Sequence, residues 1–136
     1  MNVSELSSAD LDYWVARAEG YDADVVELYG WRYCRIDVYG EGWRPYEPTK
    51  NETLAARILF ERFYTVGPAP LEAPTQHSGA RRAWMAEAQM NPAFHGLYKA
   101  DSPWVAICRL RVAEELSKNA ALRCTYEQQH NNGRTA

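Results

Sequence analysis

One segment constrains the fold of this chain more than any other: SPWVAICRLRVAEEL, Ser102 to Leu116. Ser102 suits a helix cap, Pro103 suits the first helical position, and apolar residues recur behind them at helical spacing. A helix with such a stripe must be covered by other elements. At ~100° per residue, Val112 and Leu116 fall within roughly 20° of Val105, and Ala113 at about 80°. Arg109 falls at about 40°, inside the same stripe. Arg111, Glu114 and Glu115 lie away from it, where surface charges belong. A buried guanidinium needs a partner or a path to water. Three arrangements satisfy Arg109: its head snorkels to solvent, it pairs with a carboxylate such as Glu61 or Asp37, or it binds an anionic ligand. Ser102 falls at roughly 60° on the same wheel, so the amides of the helix N-terminus and Arg109 lie along one edge.

The rest of the chain supplies mixed elements. LSSADLDYWVARAEG reads as a helix, with Ser7 as cap, Asp10 three residues later, Leu6 able to staple on Leu11, and Gly20 as stop. ADVVELYGWRYCRIDVYGEGW is β-rich, with Tyr29-Gly30 placed as a hairpin turn. In its second strand Cys34, Ile36 and Val38 alternate with Tyr33, Arg35 and Asp37; the first set faces the core, the second solvent or a ligand. A second helix follows YEPTK, with Thr49 and Glu52 at capping-box spacing and Leu54, Ala55, Ile58 and Leu59 as its stripe. TVGPAPLEAPTQHSG reads as a loop. RRAWMAEAQM fits helix or strand, its Trp84, Ala86, Ala88 and Met90 alternating. The pattern predicts an α+β domain over residues 1–118, three main helices packed on a small antiparallel sheet. Residues 119–136 read as a polar C-terminal tail, partly disordered.

With 136 residues, 46% hydrophobic and 12% aromatic, the chain has enough apolar material for a core. Its net charge of −3 leaves no basic footprint for DNA or RNA. Cys34, Cys108 and Cys124 are widely spaced, in no metal-binding or disulfide pattern, so neither a metal nor a cofactor is expected. No signal-peptide pattern and no run of membrane-spanning length is present, which sets a reduced cytoplasm as the expected location.

VSELSSADLDYWVARAEGYD resembles the opening of the phage NinX family, small accessory proteins of tailed phages. SPWVAICRLRVAEEL is similar to that family's TPLIAAMR-type helix at Ser102, Pro103, Ala106 and Arg109. YEPTKNETLAARILFER resembles its Y-x-P-[ST] loop and IIERE-like segment through Tyr46, Pro48, Thr49, Glu61 and Arg62. Trp84 and Ala86 resemble its W-x-A strand. The longer loop from Pro68 to Gly79 and the polar tail depart from the family pattern. The resemblance implies a phage origin, action in the host cytoplasm and a mixed α+β fold, and supplies no catalytic residue.

No HExxH, GxSxG or P-loop pattern is present, and His77, His95 and His130 lie in loops or the tail. His95 with Asp101 or Glu61 is the nearest approach to an acid/base pair. A small nucleotide-cleaving enzyme is the third-ranked reading, behind two binding functions. One is a counter-defence protein that sequesters a nucleotide-type immune signal, a cyclic dinucleotide or a cyclic ADP-ribose derivative, as a dimer or higher homo-oligomer. Its candidate ligand-binding residues are Tyr46, Thr49, Arg57, Arg62, Trp84, His95, Tyr98, Ser102, Trp104 and Arg109, rings for a base and arginines for phosphates. The other is an inhibitor that docks on a host protein through Trp43, Tyr46 and Phe94.

Overall fold

A computed structural model describes residues 2–70, 83–89 and 93–132. Helix α1, Ser8–Ala18, follows a short 3₁₀ turn at Val3–Glu5. It ends in a Schellman motif: the Gly20 amide bonds the Arg17 carbonyl at 3.1 Å and the Tyr21 amide bonds that of Ala16 at 2.9 Å. Gly20 takes φ +87°, the left-handed conformation this motif requires. Ser7 stands at the cap position but its side chain makes no capping bond. Asp10, rather than closing a capping box, pairs with Arg32 at 2.7 Å.

Strands β1, Asp22–Leu28, β2, Trp31–Asp37, and β3, Trp43–Pro45, form an antiparallel sheet in that order. Leu28 opposes Trp31, which leaves Tyr29 and Gly30 as the two-residue turn. Both have positive φ, 52° and 81°, as a type I′ hairpin demands. Val25 opposes Cys34 and Ala23 opposes Ile36, and these face α1. Helix α2, Glu52–Arg62, is capped by Asn51, whose side chain accepts from the Thr53 and Leu54 amides, instead of by the expected Thr49–Glu52 box. A second sheet joins β4, Thr65–Pro68, β5, Trp84–Glu87, and β6, Leu97–Ala100, in order. Residues 84–87 are thus strand, and Ala86 and Ala88 are buried as the alternation requires. β4 occupies the start of the segment read as a loop; residues 71–79 of that segment, and Arg81, Arg82 and Met90 of the next, lie outside the described residues.

Helix α3, Pro103–Lys118, lies at the centre, packed against α1, α2, α4 and all three strands of the second sheet. Ala106, Ile107, Cys108, Leu110, Val112, Ala113 and Leu116 are buried on it. The fold is α+β as expected, with four helices and two three-stranded sheets among the described residues. The segment read as a polar tail forms α4, Ala120–Asn132. Leu122 and Tyr126 are its buried positions, and Tyr126 meets Trp14 edge-on at 4.8 Å. Two apolar anchors four residues apart suffice to dock an otherwise polar helix, a signal that mean composition dilutes.

Candidate functional site

Arg109 neither snorkels freely nor pairs with Glu61 or Asp37. From the middle of α3 its Nε donates to the carbonyl of Leu6 at 3.2 Å and its Nη1 to that of Lys99 at 2.8 Å. The guanidinium thereby ties the N-terminal turn and β6 to the central helix. Its pKa is lowered by partial burial, with Asp101 opposing that shift, and no carboxylate forms an ion pair with it among the described residues. Ser102 accepts from the Trp104 amide at 3.2 Å and so caps its own helix. Tyr98 and Trp104 are half-buried and His95 is exposed, with no bond to Asp101 or Glu61.

Of the other expected ligand-binding residues, Thr49, Tyr46 and Arg62 are engaged within the fold. Thr49 is buried, its amide and hydroxyl bonded to Asp12. Tyr46 is buried, with the Tyr21 ring edge-on at 5.6 Å, and burial holds its phenol well above the ordinary range. Arg57 is exposed on α2 with no partner among the described residues, and Trp84 is exposed on β5. Arg62 donates to Glu114 through Nε at 2.8 Å and through Nη2. Tyr46, Thr49, Arg62 and Arg109 are thus each held by different partners. Of the three expected protein-docking anchors, Trp43 is exposed, whereas Tyr46 is buried and Phe94 is half-buried against the core.

Arg62 belongs to a charge cluster that the helical wheel hid. Arg111 and Glu114 were placed on the surface, yet they are 4% and 2% exposed. One apolar stripe predicts one covered face; a central helix is covered on several. Arg111 donates to Glu19 at 3.0 Å, to Glu115 at 2.8 Å and to the Ala18 carbonyl at 2.9 Å. Tyr64 donates to Glu114 at 2.9 Å. Arg62, Arg111 and Lys118 stand against Glu19, Glu114 and Glu115, a balance that makes the cluster a structural lock. Cys34 and Cys108 are also buried, and desolvation pushes the Cys34 thiol up to about 12 and raises that of Cys108, which suppresses the nucleophilic thiolate.

Several large rings are exposed together on the outer face of the first sheet. Because Val25 and Cys34 point inward, Asp22, Asp24, Val26 and Leu28 share the outer side with Trp31, Tyr33, Arg35, Asp37, Trp43 and Pro45. Helix α1 packs on the inner side. Leu28 is 54% exposed, Trp31 71% and Trp43 46%. Leu28, Tyr29, Trp31, Tyr33, Pro45 and Glu47 line an open groove of about 380 Å³. Arg35 lies over the Trp43 ring at 4.8 Å and is bonded to Asp24 at 2.7 Å, so its charge is spent within the face. Asp22 and Asp37 oppose each other at the far end with no ion pair among the described residues. Strand alternation had assigned Tyr33, Arg35 and Asp37 to this side. It missed Trp31 and Leu28, whose exposure follows from their place beside the turn.

No protein-family model matches the chain, and no curated protein matches it.

Proposed function

We propose that this chain is a non-catalytic binding protein that docks a partner protein on the outer face of β1–β3, and that it acts as a phage accessory protein by occupying a host defence factor. The observation that carries the docking reading is the uncovered aromatic face itself. Large exposed rings gathered on one sheet, around a groove and beside a polar rim, are the composition of an interface core. The phage setting rests on the NinX-like segments at the two ends of the chain.

Sequestration of a nucleotide-type signal is the second reading. It is favoured by Arg109, a guanidinium bonded to carbonyls rather than to a carboxylate, on the helix whose N-terminus is capped by Ser102.

A photo-crosslinking side chain at position 29 separates the two. In host extract it should give one adduct of discrete mass, re-formed one-to-one with the purified partner, lost in Trp31→Ser and kept in Arg109→Ala. A thermal-shift panel of cyclic nucleotides giving a response that Arg109→Ala removes, with no Trp31-dependent adduct, supports sequestration instead and overturns the docking reading.

A further inference from the structure

The outer face ends at an open strand edge. The chain of β1 runs seven residues with no proline and is the first strand of its sheet. The opposite edge, β3, has three residues and ends at Pro45, the usual means of blunting an edge. In a two-residue hairpin the residues flanking the turn exchange hydrogen bonds, so Leu28 bonds Trp31, and Val26, Asp24 and Asp22 also point their backbone groups at β2. The Cys34 carbonyl, which accepts from the Tyr46 amide at 2.9 Å, confirms the alternation by pointing away from Val25. Ala23, Val25 and Glu27 therefore turn their N–H and C=O groups outward, and no hydrogen bond to them is formed among the described residues.

We infer that the partner adds to this edge as an antiparallel β-strand, a proposal that rests on the docking reading and names its mode and chemistry. An added strand continues the outer face. Its alternate side chains lie beside Leu28, Val26, Asp24 and Asp22 in turn, so the fitting segment is apolar at two successive outer positions and basic at the next two. The apolar half borders the groove at Trp31; of the basic half, one position lies beside Asp22, which has no counter-ion among the described residues and has Asp37 opposite it on β2, and the other beside Asp24, which Arg35 already pairs. A second copy of this chain fits less well. The edge carries Asp22, Asp24 and Glu27 and no basic residue, so pairing with itself gathers six carboxylates on two adjacent strands.

The test uses the full chain and a capped peptide, Val-Thr-Val-Thr-Lys-Thr-Lys, whose threonines oppose Glu27, Val25 and Ala23. Titration calorimetry should show binding, and amide exchange at Ala23, Val25 and Glu27 should slow by at least about tenfold in the complex. N-methylation of the three threonines should weaken binding by at least about tenfold, whereas N-methylation of the valines and lysines should not. Replacing the lysines with glutamate should abolish binding. Glu27→Pro, whose lost N–H points away from β2, should weaken binding as much while leaving the near-ultraviolet circular dichroism unchanged. Absence of binding at about 1 mM peptide overturns strand addition. Binding that ignores N-methylation but is lost in Trp31→Ser also overturns it and leaves the docking face standing. Binding that obeys N-methylation but ignores Trp31→Ser upholds strand addition and removes the aromatic face from the interface.

Discussion

Asp12 takes two hydrogen bonds from Thr49, one from its amide at 2.9 Å and one from its hydroxyl at 3.1 Å. The pair joins α1 to the loop that enters α2. Desolvation by burial pushes the Asp12 carboxyl up to about 7, only partly opposed by the two bonds from Thr49. The folded state therefore holds a proton here that the unfolded chain releases near pH 4. With the folded value raised, stability from this group is greatest at low pH and is lost as pH rises towards 7. The full loss is on the order of 4 kcal/mol. Asp12→Asn keeps the amide contact at Oδ1 and reverses the second, its Nδ2–H donating to the Thr49 hydroxyl, without the charge. Thermal melts from pH 4.5 to 8 should show a downward slope in the parent that this variant flattens; equal slopes would mean that Asp12 is ionised throughout.

Arg111 is the hub of the buried charge cluster. Its removal strands Glu19, leaves Glu115 with only the more exposed Lys118 as counter-ion, and leaves the Ala18 carbonyl without its donor. Arg111→Met should destabilise the fold by about 3–5 kcal/mol, since an uncompensated buried carboxylate costs more than the pair gains. Arg111→Lys should recover only part of this, because an ammonium does not reproduce the planar fork that meets three acceptors at once. Urea denaturation measures both, and equal stability of Arg111→Lys and the parent would show that geometry is not the point.

What could be read from the sequence follows from how local each feature is. The Tyr29-Gly30 turn, the Gly20 stop, the Ser102 cap and the inward Cys34–Ile36 alternation each depend on a few adjacent residues, and all are present. The burial of Arg111 and Glu114 depends on residues fifty and ninety positions away, Arg62 and Glu19. A wheel drawn on α3 alone contains no trace of them. Thr49 shows the same limit: its spacing to Glu52 suggests a cap, but a carboxylate thirty-seven residues earlier claims it. The aromatic face was half visible, through Tyr33 and Trp43, because alternation names a face without saying whether another element covers it.

Arg109 gives a prediction of the same kind with a local readout. Its two carbonyl partners belong to separate segments, at Leu6 and Lys99. Arg109→Met should cost about 1–2 kcal/mol by removing both bonds, the exposed Lys99 carbonyl turning to water instead. The amides of Val3 to Leu6 should exchange faster, because that turn loses a long-range tie to α3. Unchanged exchange there would show that the N-terminal turn is held by packing of Val3 and Leu6 alone.

Tyr29 connects stability to the proposed docking. Its φ of 52° lies in the left-handed region, where a tyrosine is strained and asparagine is the preferred residue before glycine. Nothing in the fold repays this, since the residue is 94% exposed, yet its ring lines the groove beside Trp31. A local rule broken at an exposed turn is a sign of function. Tyr29→Asn should raise stability by about 0.5–1 kcal/mol and weaken partner binding. Both signs are needed. A lower melting temperature would give the ring a structural role, and unchanged binding would place the docking surface away from the hairpin tip.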